Sequence, residues 1–205
     1  MSDAKQKAEE FKAVVEAKIR ELVSEFSDGK ISREQFHMLY ERYNSRLAIA
    51  NHALLSGNPD AVQIAQTGPP TIAIRDATMG KVVGLLIYHH NGGRTLETLG
   101  DFNIPFSLLE PILDEITLQL VAKRLVEPRM EKLGKTHWLL FIAGEFTSVV
   151  TLFINEPSQL QVRELERLLH DFEQANHHEL IRPQIDSEKL AYPFIVFVKK
   201  KFGKP

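Results

Sequence analysis

Apolar residues recur every three or four positions near the start of the chain, at Phe11, Val14, Val15, Ile19, Leu22, Val23 and Phe26. Lys12, Glu16, Lys18, Arg20, Glu21 and Glu25 fill the gaps, so the spacing predicts an amphipathic helix over about residues 4–26. Asp28-Gly29 breaks the pattern, because glycine tolerates the positive φ that ends a helix. Ser32 and Gln35 stand at capping-box spacing and open a second helix with Phe36, Leu39, Tyr40, Tyr43, Leu47, Ala50 and Leu54 in one stripe. Two stripes joined by a short turn make an antiparallel helical hairpin over residues 1–56. Prolines and glycines punctuate residues 57–70, which read as a linker.

Beyond residue 70 the period falls from about 3.6 towards 2. Thr71–Ile74 reads as a short strand, and the apolar run Val82–Tyr88 as a longer one. Asn91-Gly92 is a strong hairpin signal, since a type I′ turn needs positive φ at both central residues. The return strand is Arg94–Leu99. Ser107 and Glu110 repeat the capping-box spacing, and the stripe from Leu109 to Val121 predicts a helix ending near Val126. Two β-rich runs, 138–143 and 146–154, flank Gly144-Glu145. A last helix starts at Ser158 with Leu165, Leu168, Leu169 and Phe172 in its stripe, and Phe194–Val198 reads as a final strand. Hairpins separated by single helices predict an α+β domain over 71–205, an antiparallel sheet with helices packed on it.

The composition narrows the function. Of 205 residues, 43% are hydrophobic, and 25 basic against 27 acidic side chains give a net charge of −2. Wholesale disorder is excluded, and the broad positive field of a general nucleic-acid binder is missing. No cysteine is present, which removes disulfides, thiolate metal sites and a cysteine nucleophile. No apolar run approaches the roughly 18 residues of a membrane span, and the N-terminus lacks the apolar core of a signal peptide. A cytoplasmic protein is the expectation. The four lysines at 199–201 and 204 bind an anionic membrane only marginally without a lipid anchor.

Candidate chemistry is thin. Setting Gly29 at position 6 of a calcium loop places Phe26 at position 3 and Gln35 at the essential bidentate position, so the oxygens a hard cation requires are lacking. The eight histidines include no His-x3-His or His-Glu-x-x-His pair, and no metal is expected. No phosphate-binding glycine loop follows a strand and opens a helix, and Gly144-Glu-Phe-Thr-Ser148 is not a nucleophile elbow. No catalytic or cofactor-binding residue is assigned. Tyr88, His89, His90, His137 and Trp138 form an aromatic and histidine-rich group that hints at a ligand pocket.

Gly80–Tyr88, the Asn91-Gly92-Gly93 turn and the return strand resemble the opening hairpin of roadblock and longin domains. The following helix, the strands at 137–154 and the helix from Ser158 are similar to the same profilin-like plan, over residues 80 to about 178. The usual roadblock plan has three strands between its helices where the pattern here yields two. Gly29-Lys-Ile-Ser-Arg-Glu-Gln-Phe36 is similar to the short terminal helical domains, SHOCT-like in plan, that carry Gly-x-Ile-(Ser/Thr)-x-Glu-Glu-Phe and act as oligomerisation modules. The first resemblance implies a non-catalytic domain that dimerises, scaffolds complexes and contacts small GTPases.

The expectation is therefore a non-enzymatic, self-associating regulatory protein without a cofactor, a homodimer with a small GTPase as a further partner. Nucleic acid and stable membrane association are not expected. Phe11, Ile19, Leu22, Phe36, Tyr43 and Leu47 are the expected interface, on the reasoning that a lone hairpin leaves them without partners. The alternative is a sensor of GAF or PAS type, holding a small molecule between sheet and helices.

Overall fold

The computed structural model describes residues 3–56, 70–182 and 184–194. The chain divides into two units, residues 1–79 with 158–160 and residues 80–157 with 161–205.

The first unit holds α1 (Asp3–Ser27), α2 (Arg33–Ser56) and α3 (Thr71–Thr78). Gly29 takes φ 72°, which turns the chain at the end of α1 and lets the Lys30 N–H donate to the Glu25 carbonyl at 2.9 Å. Ser32 Oγ accepts the Gln35 N–H at 3.2 Å, the expected cap of α2. The Gln35 side-chain amide donates to the Arg75 carbonyl instead, at 3.0 Å. Val15, Leu22, Ile31, Leu39 and Tyr43 form the core of this unit, and Ile74 of α3 packs against them. The Arg75 guanidinium grips both carboxylate oxygens of Glu25, which ties α3 to α1.

The expectation of a strand at Thr71–Ile74 is corrected: these residues open α3. Thr71, Ile74, Arg75 and Thr78 are the half-buried positions, a helical spacing that a four-residue segment is too short to reveal. The linker assigned to 57–70 lies outside the described residues except for Pro70.

The second unit is α+β. Its strands are β1 (Lys81–His89), β2 (Arg94–Gly100), β3 (Arg129–Leu133), β4 (His137–Ala143) and β5 (Thr147–Ile154). They form one antiparallel sheet in the order β2-β1-β5-β4-β3. Alternation sends Leu85, Ile87, Leu140, Val149 and Phe153 to one face and Leu86, Leu139, Phe141, Val150 and Leu152 to the other. Helix α4 (Phe106–Val121) covers the second face through Leu109, Leu113 and Ile116. Helix α5 (Gln159–Leu180) covers the first through Val162, Leu165, Leu169 and Phe172, joined by Ile185, Leu190 and Phe194. With both faces covered, the central strands β1, β5 and β4 read as near-continuous apolar runs.

Four local expectations are corrected. The β1–β2 hairpin forms, but Gly93 alone carries positive φ, 57°, and its N–H donates to the His90 carbonyl at 3.2 Å. The loop is therefore longer than the two-residue type I′ turn. Helix α4 starts at Phe106 behind Pro105 with no side-chain cap, so the Ser107–Glu110 box does not form. It ends at Val121 because Lys123 turns left-handed, φ 55°. Strand β3 lies where no strand was expected, its Arg-Met-Glu-Lys-Leu sequence carrying charge at three of five positions. Of the final strand expected at 194–198, only Phe194 is described, and it is buried. The lysine tail lies outside the described residues.

Candidate functional site

The six side chains expected at an interface have partners inside their own unit. Leu22 and Tyr43 are buried in its core, and Phe11, Ile19, Phe36 and Leu47 pack against them. The hairpin stripe closes on itself and on Ile74, which the sequence reading did not foresee because it placed residues 71–74 in the other domain.

Large apolar side chains are nevertheless exposed in both units, Leu55 at 89% and Ile72 at 67% in the first. On α4, Leu118 is 70% and Val121 77% exposed, Leu108 is exposed too, and so is Leu125 in the segment that follows. A different flank of α4 adjoins β3, where Arg129 donates to Glu115 of α4 at 2.8 Å and to Glu131 at 2.7 Å. Strand β3 is a sheet edge, paired only with β4. Alternate residues of an antiparallel edge direct their N–H and C=O groups away from the sheet, where another strand can pair with them. The sheet unit therefore carries both exposed apolar side chains, on α4, and an open edge, on β3. The edge was hidden in the sequence by its charges.

The histidine-rich group does not converge. His89 and His90 point to opposite faces of the sheet, Trp138 is buried with the α5 face, and His137 is exposed. His89 Nδ1 accepts the Gly92 N–H at 3.0 Å, which leaves Nε2 to donate to the Leu180 carbonyl at 3.3 Å. Burial pushes its pKa down. His90 is 9% exposed, lies 3.4 Å through Nδ1 from Thr117 Oγ1 of α4, and is pushed down to about 4, chiefly by burial. Both rings are neutral at neutral pH. They anchor the end of β1 to α5 on one face and to α4 on the other.

A second locus escaped the sequence reading. Glu173 of α5 is 8% exposed and caps the β4–β5 turn. Its Oε1 accepts from Phe146 N–H at 2.9 Å and from Thr147 N–H and Oγ1 at 2.8 Å, and its Oε2 from Glu145 N–H at 2.8 Å. Gly144 has no side chain where a Cβ would overlap this carboxylate. The clue in the sequence is a glutamate four residues after Leu169, inside the buried stripe of α5. A cavity of about 300 Å³ opens beside it, bounded by α5, the β4–β5 turn and the segment after α4.

Among the described residues no three of His, Asp and Glu converge as metal ligands, and no described helix is long and apolar enough to cross a membrane. No family model, curated protein or solved structure matches this chain.

Proposed function

We propose that this protein is a non-catalytic interaction protein that pairs with a second copy of itself through the α4–β3 side of its sheet domain. The observation that carries the reading is the open β3 edge, in a unit whose helix α4 also leaves Leu118 and Val121 more than two-thirds exposed. Exposed apolar patches beside an unpaired strand favour association. A second copy fits by charge: antiparallel pairing of two β3 strands about Met130 sets Arg129 of one copy opposite Glu131 of the other. Such a contact is self-complementary, as a two-fold interface requires.

The likeness to roadblock domains supports the same reading, because β3 supplies the third strand between the two helices that the sequence pattern had left missing. A dimer built this way presents paired surfaces to further partners, and a small GTPase is the partner that the likeness implies.

Amide hydrogen exchange tests the pairing. The outward N–H groups of Arg129–Leu133 exchange fast at low protein concentration and become protected as it rises. Concentration-independent fast exchange along β3 overturns the proposal.

A further inference from the structure

The cavity beside Glu173 has an apolar floor in Val126, Pro128, Ile142 and Leu169, and a charged lining of one sign. Glu145, Glu166 and Glu173 contribute carboxylates, and no lysine or arginine lines it. Neither the Glu145 nor the Glu166 side chain has a hydrogen-bond or ion-pair partner among the described residues. Glu173 differs. Its four neutral donors hold the carboxylate in place without cancelling its charge, and no ion pair to it is formed among the described residues. A fixed, buried anion beside two unpaired carboxylates and an apolar wall concentrates negative potential in the cavity.

Glu166, His170, Glu173 and His177 recur every three or four residues and so lie along one line of α5. The His177 ring meets the Phe146 ring edge-on at 5.3 Å between centroids, which closes one end of the cavity. The side chains do not converge on a point as metal ligands do. Spread acceptors around an apolar floor suit a group with several N–H donors and a short carbon chain. At about 30 Å³ per water-sized group, the volume holds roughly ten non-hydrogen atoms.

We infer that this cavity binds a small organic cation, a primary amine or guanidinium on a short carbon chain, either free or as a lysine or arginine side chain of another protein. The inference is independent of self-association, since none of the cavity's carboxylates belongs to β3 or to the exposed side of α4.

The test is a titration of the full-length ¹⁵N-labelled protein with n-butylammonium, agmatine, N-acetyl-lysine methylamide, N-acetyl-arginine methylamide and butyrate. The amines and guanidiniums shift the amides of Glu145, Phe146 and Thr147 with Kd of about 1 mM, the range for ligands of this size. Butyrate does not. Glu145→Gln with Glu166→Gln weakens binding about fivefold, the sum expected of two exposed charge pairs, and leaves the melting temperature unchanged. Tighter binding of agmatine than of the blocked amino acids identifies a free ligand, and the reverse identifies a partner's side chain. No saturable shift with any cation, equal shifts with butyrate, or binding unaffected by the double substitution overturns the inference. Tighter binding of magnesium or zinc alone also overturns it.

Discussion

Acidification should loosen the sheet domain through His90. Its pKa is about 4 in the folded chain against 6.5 for an ordinary histidine, because burial disfavours the charged ring. Between those values the unfolded chain binds the proton that the folded one refuses, so stability falls as pH falls. The contribution is fully present above pH 6.5, is lost progressively down to about 4, and is flat below. At about 1.4 kcal/mol per pH unit the whole window removes about 3 kcal/mol, and the step from about pH 7 to about pH 5 removes about 2 kcal/mol. His89 acts in the same direction, since its pKa is lowered too and protonating Nδ1 abolishes the bond from Gly92. Urea unfolding of the wild type and His90→Gln at both pH values isolates the effect, because carboxylate titration is common to both proteins. The variant should lose about 2 kcal/mol less than the wild type over that step. Equal losses would refute the assignment of His90 as a buried neutral group.

Three further substitutions test the packing. Glu173→Ala leaves three backbone N–H groups of the β4–β5 turn without their acceptor and should cost about 4 kcal/mol in urea unfolding; Gly144→Ala should destabilise the same turn, since its Cβ overlaps the carboxylate. Asn176 donates to the Ala191 carbonyl and accepts the Ala191 N–H, at 2.8 and 2.7 Å, so Asn176→Leu should release residues 184–194 from the α5 face. That release should cost about 2 kcal/mol and speed tryptic cleavage at Lys189.

The α+β architecture was legible because its cores repeat with clean periods. Leu109, Leu113 and Ile116 marked α4, and the runs at 82–88, 138–143 and 146–154 marked three buried strands. Strand β3 was not legible. Only Met130 and Leu133 are apolar in it, and an edge strand tolerates charge at the other positions. Helix α3 misled in the opposite way, since Ile72-Ala73-Ile74 fits either period over so few residues. The expectation that the hairpin stripe lacks partners of its own rested on a related reading. Reading Thr71–Ile74 as a strand removed Ile74 from the hairpin core and left Phe36 and Leu47 apparently uncovered. Glu173 escaped because a lone glutamate in a helix is normally solvated, and only the fold reveals the turn it caps.

The mass of the protein in solution tests the central claim most directly. Light scattering on the wild type at about 50 µM, well above the Kd of an ordinary specific dimer, should give twice the 23.3 kDa chain mass. Leu118→Glu with Val121→Glu should give the single-chain mass with an unchanged circular dichroism spectrum, since both side chains face solvent in the single chain. A wild type at the single-chain mass, or a dimer that survives the double substitution, would contradict pairing through α4 and β3.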